Sequence, residues 1–161
     1  MTQLAFNSQK VSVTNGEFDL KELHPYPKNS KKHPESQVKA LIAAIKQFGF
    51  TQPIIIDENK TILAGHGRYE AATRLGLEKA PTRQVVGLTE QEKKAYVIAD
   101  NKISEQSEWD QDKLFDELSS LSNLDDFDSE IVNLLDQDTF SIYKIEQKPI
   151  SDLKPHPKNY K

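Results

Sequence analysis

The chain has 161 residues, enough for one domain with a real core and short for two. Its 36% hydrophobic and 29% charged content describe a globular protein, and the lack of cysteine excludes disulfides, thiolate metal sites and thiol nucleophiles. The net charge of −4 is uneven: residues 1–100 hold 14 Lys/Arg against 11 Asp/Glu, whereas 101–138 set only Lys102 and Lys113 against twelve carboxylates. A polyanion would therefore meet the first hundred residues, although their small excess does not by itself imply nucleic acid. The sequence opens without a basic flank and apolar run, and contains no run of membrane-spanning length. A cytoplasmic protein without a membrane partner is expected.

Residues 1–16 show no periodicity and are expected to form a flexible arm. A short strand and a loop stiffened by Pro25 and Pro27 follow in "FDLKELHPYPKNSKKH". Pro34 suits a first helical position, Val38, Leu41, Ile42, Ile45 and Phe48 keep helical spacing, and Gly49 closes the helix. "QPIIID" and "TILA" are expected strands around the turn residues Glu58, Asn59 and Lys60. A short alanine-rich helix after Gly67 ends at Gly76, and "TRQVVG" reads as another strand. Thr89 and Glu92 form a capping box for a helix through about Ala99. Asp110 begins a helix with Leu114, Phe115, Leu118 and Leu121 on one face, and Asp128 is placed to cap a last one carrying Ile131, Leu134 and Leu135. This alternation predicts a small mixed α/β domain with an acidic helical extension. Leu23-His-Pro-Tyr-Pro-Lys-Asn29 returns as Leu153-Lys-Pro-His-Pro-Lys-Asn159, so 139–161 is expected to be a linker and the start of a second repeat, as in a fragment or a vestigial copy.

Three stretches carry candidate chemistry. Gly65-His66-Gly67-Arg68 stands where a strand meets a helix, whose open N–H groups and partial positive charge suit an anion. Gly67 would admit a phosphate, Arg68 would grip it with a planar fork, and His66 would donate to it or move a proton. The same four residues also fit a plain glycine-rich turn. Asp100 and Asn101 offer hard oxygen ligands of the kind Mg²⁺ takes beside phosphates, or they end a helix. Lys28, Lys31 and Lys32 could close over a phosphate, rest on nucleic acid, or simply be solvated. A Walker loop, zinc spacing and the carboxylate cluster of a metal nuclease are not evident.

Together these stretches resemble the N-terminal domain of the ParB/sulfiredoxin superfamily. "LHPYPKN", "FGFTQPIIID", "ILAGHGRYEAATRLGL", "APTRQV" and "ADNKISE" follow the family's order and spacing over about 17–108, with 109–138 as the acidic extension. The likeness is strongest to ParB-like domains linked to phage and prophage DNA modification methylases, which carry a similar Trp-Asp pair, here Trp109-Asp110. The resemblance implies a CTP-type phosphate cradle at Gly65, His66, Gly67 and Arg68, a base-proximal segment at Gln52 and Pro53, and Mg²⁺ at Asp100 and Asn101. It also implies a nucleotide partner (CTP or ATP), DNA contact directly or through a parent protein, and a homodimer. His66 and Gly67 replace the family's acid and first arginine, which bears on CTP preference and hydrolysis. Sulfiredoxin activity needs a cysteine and is excluded. NTP hydrolysis or phosphotransfer, with His66 as the candidate catalytic group, stands beside two alternatives, a DNA-binding or nuclease module and a non-catalytic interaction domain.

Overall fold

A computed structural model describes residues 10–29, 31–106, 108–121 and 127–135, and the chain divides into two units, Met1–Gln106 and Ser107–Lys161. In the first unit, strand β1 (Ser12–Asp19) runs through a 3-10 turn, Leu20–Glu22, into the two-residue β2 (His24–Pro25). Helix α1 (Glu35–Phe48), β3 (Ile54–Ile56), β4 (Thr61–Ala64), α2 (His66–Arg74), β5 (Lys79–Val86) and α3 (Glu90–Glu105) follow. The strands form one mixed sheet in the order β1-β5-β3-β4-β2, with β1/β5 and β3/β4 antiparallel and β5/β3 and β4/β2 parallel. This is the small mixed-sheet α/β domain expected from the alternation of short strands and helices.

The centre of the sheet is apolar on both sides. Ile54 and Ile56 of β3 and Ile62 of β4 share a buried cluster with Leu20, Leu23, Ala72 and Ala80. Ile62, Leu63 and Ala64 are all buried, so β4 is covered on both faces rather than one. Ala71 and Ala72 let α2 lie close to the sheet, α1 packs against α2, and α3 also contacts β4. Pro34 and Gly49 (φ +80°) bound α1, and the Thr89–Glu92 capping box opens α3.

Pro34 caps α1 from just outside rather than taking its first position, and of the expected strand Gln52–Asp57 only Ile54–Ile56 is strand. Four further boundaries differ from the sequence reading, each for a physical reason. β1 begins at Ser12, inside the expected arm; Ser12–Glu17 are exposed, so they show no hydrophobic alternation, and the strand is held by its backbone ladder to β5 and by the partly buried Phe18. β5 begins at Lys79 rather than Thr82. Pro81 reads as a breaker, but β3 pairs only from Thr82 onward, which leaves an edge that tolerates a residue without an N–H. α2 starts at His66, because Gly65 takes the left-handed conformation (φ +92°) that turns the chain directly into the helix. α3 continues past Ala99 to Glu105: the Asn101 amide donates back to the Val97 carbonyl (2.9 Å) within the helix instead of capping its end.

In the second unit, Asp110 caps helix α4 (Gln111–Ser120), its carboxylate accepting from the Lys113 amide, and Leu118 is buried. Residues 129–135 are helical, with the Asp128 carboxylate accepting from the Glu130 amide at 3.0 Å and Ile131 buried. Most of the expected arm and the whole of 139–161, including the second copy of the Leu-x-Pro-x-Pro-Lys-Asn pattern, lie outside the described residues.

Candidate functional site

The strand directions assemble one end of the sheet. Because β2 runs parallel to β4 (His24 beside Thr61, Pro25 beside Ile62), the residues that follow both strands emerge at the same edge. These are Tyr26 after β2 and Gly65-His66 after β4. β3 runs antiparallel to β4, so Gln52 and Pro53, which precede β3, arrive there as well. The carboxyl ends of parallel strands in open α/β sheets are where ligands commonly sit. Here three sequence stretches up to 40 residues apart meet around the first turn of α2.

Each residue of the Gly65–Arg68 stretch has a distinct place. Gly65 turns the chain at φ +92°, and a Cβ there would lie 2.9 Å from an Arg68 guanidinium nitrogen, so the guanidinium folds directly over it. Arg68 Nη1 donates to Gln52 Oε1 (3.0 Å) and Nη2 to the Pro53 carbonyl (3.2 Å). Its buried Nε has no hydrogen-bond partner among the described residues. Burial pulls the Arg68 pKa below the usual guanidinium range, against the pull of Asp100 and Tyr96 on α3. Arg68 therefore braces the segment before β3, with Nε shut in against Gly65. Gly67 is buried, and a Cβ there would come within 3.0 Å of Leu41 Cδ1 and 3.1 Å of His33 Nδ1; its lack of a side chain admits α1 and the loop before it. The amides of His66, Gly67 and Arg68 meet no acceptor among the described residues, as expected for the first turn of a helix.

His66 links this turn to the lysine loop. Its Nε2 accepts from the Tyr26 amide at 3.2 Å, which requires Nε2 to be unprotonated and leaves the proton on Nδ1. Burial, with a smaller contribution from nearby His33, holds its pKa down to about 4, so the ring is neutral at physiological pH. Nε2 is thus engaged with backbone, and only the Nδ1 proton remains for a ligand. Beyond Tyr26 lies a cleft of about 590 Å³ lined by Tyr26, Lys28, Lys31 and Lys32 from the loop, and by Lys94, Val97, Ile98, Asn101 and Lys102 from α3. Five lysines surround an apolar floor, and among the described residues no Asp or Glu lines it.

Asp100 and Asn101 are neighbours on a continuous helix, and so point about 100° apart. Asp100 acts electrostatically on Arg68 and Tyr96, whereas Asn101 lines the lysine cleft. Among the described residues no three of His, Asp and Glu gather as metal ligands. A Mg²⁺ ion near Asp100 would have one carboxylate and would need phosphate and water for its other positions, a donor set compatible with a metal carried by a nucleotide.

The sequence reading missed Lys94, Ile98 and Lys102, which recur every fourth residue on α3; Lys102 joins that face only once the helix runs past Ala99. It also missed Lys93. This lysine is 3% exposed and donates to Asp57 (2.9 Å), Glu58 (2.8 Å) and Glu90 (3.0 Å), fastening α3 to the β3–β4 turn.

The sequence matches the ParB N-terminal domain family over residues 3–102. It is 46% identical over 74 residues to the ParB-like nuclease domain-containing protein YnaK of Escherichia coli K12, covering 46% of this chain and 85% of that protein. In structure it resembles the C-terminally truncated chromosome-partitioning protein ParB of Caulobacter crescentus, solved in complex with CTP-gamma-S (TM-score 0.60, 20% identity, 76% of this chain and 70% of that one). A pNOB8-like ParB-N domain is also similar (TM-score 0.51, 15% identity, 86% of this chain and 52% of that one). Among the described residues no helix is long and apolar enough to cross a membrane. With family match, relative and fold in agreement, the chain belongs to the ParB N-terminal domain family.

Proposed function

We propose that this domain binds a nucleoside triphosphate, CTP or ATP, at the sheet edge formed by the first turn of α2 and the lysine cleft. The observation that carries the reading is the cleft itself: five lysines around an apolar floor, reached from the open amides of α2 through the Tyr26–His66 contact. Lysine ammonium groups would neutralise phosphate charge, and the amides of Gly67 and Arg68 would add oriented donors. Arg68 would act by holding Gln52 and Pro53 in place beside the site. Bound Mg²⁺, if carried in by the phosphates beside Asp100, would supply further charge neutralisation. That a fold neighbour was solved with CTP-gamma-S supports CTP as the first candidate. Any hydrolysis would rest on positioning and charge, since phosphoryl transfer asks little covalent chemistry of the protein. A cytoplasmic, homodimeric DNA-modification or DNA-maintenance protein, linked to a methylase, is the setting implied by the resemblance.

The test is calorimetry and thermal shift with CTP, ATP, GTP and UTP, each with and without Mg²⁺, on the wild type and Arg68→Ala. Magnesium-dependent stabilisation by one nucleotide, lost in a folded Arg68→Ala, is the expected result. No binding of any nucleotide by the wild type overturns the reading.

A DNA-contacting or nuclease function is the second reading, favoured by the nuclease-domain name of YnaK and by the same lysines. It predicts oligonucleotide affinity that falls steeply with salt, by about 0.9 in log K per log salt for each phosphate contacted. Plasmid nicking would add cleavage to binding.

A further inference from the structure

The lysine loop touches the first turn of α2 at two points, and both depend on residues that a simple phosphate turn would not require. At its start, the Tyr26 amide donates to His66 Nε2 across 40 residues of sequence. At its end, His33 lies against Gly67, where a Cβ would meet its Nδ1 at 3.1 Å, and that Nδ1 is 2.9 Å from Gln37 Oε1 on α1. Lys28, Lys31 and Lys32 all lie between these contacts. His66 itself is rigidly placed, since it is the first residue of α2 and follows a glycine fixed at φ +92°. It also faces a second cleft of about 570 Å³, shared with Asn29, Lys31, His33, Tyr69, Glu70 and Arg74, rather than the lysine-lined one.

We infer that His66 is a positioning residue: by accepting the Tyr26 amide it fixes the lysine loop against α3 and so sets the cleft's affinity for a polyphosphate that the imidazole does not touch. The inference rests on the nucleotide-binding reading for the identity of the ligand, and on the loop geometry alone for the grip. Backbone amides only donate, so the role requires an acceptor at the Nε2 position. Glutamine can place its carbonyl oxygen near there, whereas alanine cannot. A ligand-contacting histidine would not be replaced in this way.

The experiment compares wild type, His66→Ala and His66→Gln. Hydrogen exchange of the Tyr26 amide is followed by NMR without ligand, and affinity is measured for magnesium CTP and for inorganic triphosphate. His66→Ala is expected to speed Tyr26 exchange by about tenfold or more and to weaken both probes by about tenfold, with its melting transition retained; His66→Gln restores both. Unchanged Tyr26 exchange in His66→Ala overturns the grip. Lost protection with unchanged affinity overturns the link to binding. Restored protection without restored affinity in His66→Gln assigns the histidine to the ligand and overturns the inference. If the wild type binds neither probe, the nucleotide reading falls separately. The grip is then judged on the acetylation pattern of Lys28, Lys31 and Lys32, which must change in His66→Ala and return in His66→Gln. Should His66→Ala not fold, the wild-type ¹⁵N spectrum decides, because an Nε2-protonated His66 is incompatible with the contact.

Discussion

Lys93 and Lys94 are adjacent on α3 and are used in opposite ways. Lys93 turns inward, where Asp57, Glu58 and Glu90 surround its ammonium within 3.0 Å. Lys94, about 100° further round the helix, is exposed and lines the cleft with Lys28 and Lys32; among the described residues none of these three forms an ion pair. The first is bound to its own protein, and the others are available to something else. What separates a structural lysine from a binding one here is the presence of carboxylates from other elements, which composition and net charge do not reveal.

The sharpest way to break the comparison is to remove the inward lysine. Lys93→Met would leave the buried Asp57 carboxylate without its cation and is expected to destabilise the domain by about 3–5 kcal/mol, read from urea unfolding. Adding Asp57→Asn to it should recover part of the loss. Burial works against both charges, yet the bonds to Lys93 and to the Thr61 and Asn59 amides hold Asp57 below its ordinary value of 3.8. Burial likewise opposes the Lys93 charge, and its three carboxylates overcome that and hold its pKa above 10.5. The cluster's contribution is therefore complete between those two values. It fades as pH falls through the folded pKa of Asp57 or rises from 10.5 toward that of Lys93. Lys93→Met should flatten both flanks of the pH–stability profile.

Reversing the outward lysines should do the converse. Lys28→Glu with Lys32→Glu is expected to lower affinity for magnesium CTP by about 10–100-fold, an effect that shrinks as salt is added. Stability should change by no more than about 0.5 kcal/mol for each exposed substitution. Equal losses of affinity and stability would show that these lysines hold the loop together.

The same distinction explains what could be read before any coordinates. The unbroken apolar runs of β3 and β4, the Pro34 and Gly49 boundaries and the Thr89–Glu92 box are local signals, and all three stand in the structure. Strand β1 was legible only at its Phe18–Asp19 end, because the side chains from Ser12 to Glu17 are all exposed. Asp100-Asn101 looks like a helix end because Asn is a frequent C-cap, and the return of its side chain to the Val97 carbonyl within the helix leaves no mark in composition. Gly65-His66-Gly67-Arg68 was legible as a special turn, but its partners were not. Tyr26, His33, Gln52 and Pro53 reach it only through the parallel β2/β4 and antiparallel β3/β4 pairings, and β2 has just two residues. Lys93, inside "QEKKAY", is indistinguishable by sequence from the solvated lysine beside it.

Among the glycines, Gly65→Ala carries the larger expected effect. A side chain at φ +92° is strained by about 1–2 kcal/mol, and the new Cβ would push the Arg68 guanidinium off Gln52 and Pro53. Nucleotide affinity should therefore fall along with the unfolding midpoint.

Gly67→Ala sets two effects of similar size against each other, since φ at 67 is ordinary for a helix. Alanine in place of glycine favours the helix by about 1 kcal/mol, although less in its first turn. Against this, the added methyl meets Leu41 Cδ1 at 3.0 Å and His33 Nδ1 at 3.1 Å, and overpacking of this kind costs roughly 1–3 kcal/mol. Leu41 is anchored on α1 and half-buried, while His33 lies in the loop before the helix and can swing away. The net change should be a loss of about 1 kcal/mol or less in urea unfolding, smaller than for Gly65→Ala. The strain should be relieved at His33, so the variant's NMR shifts are expected to concentrate in residues 28–37 and to leave Gln52 and Pro53 unmoved. Shifts spread instead through α1 would mean that Leu41 yields first, and that the loop's second contact with α2 is the stiffer of the two.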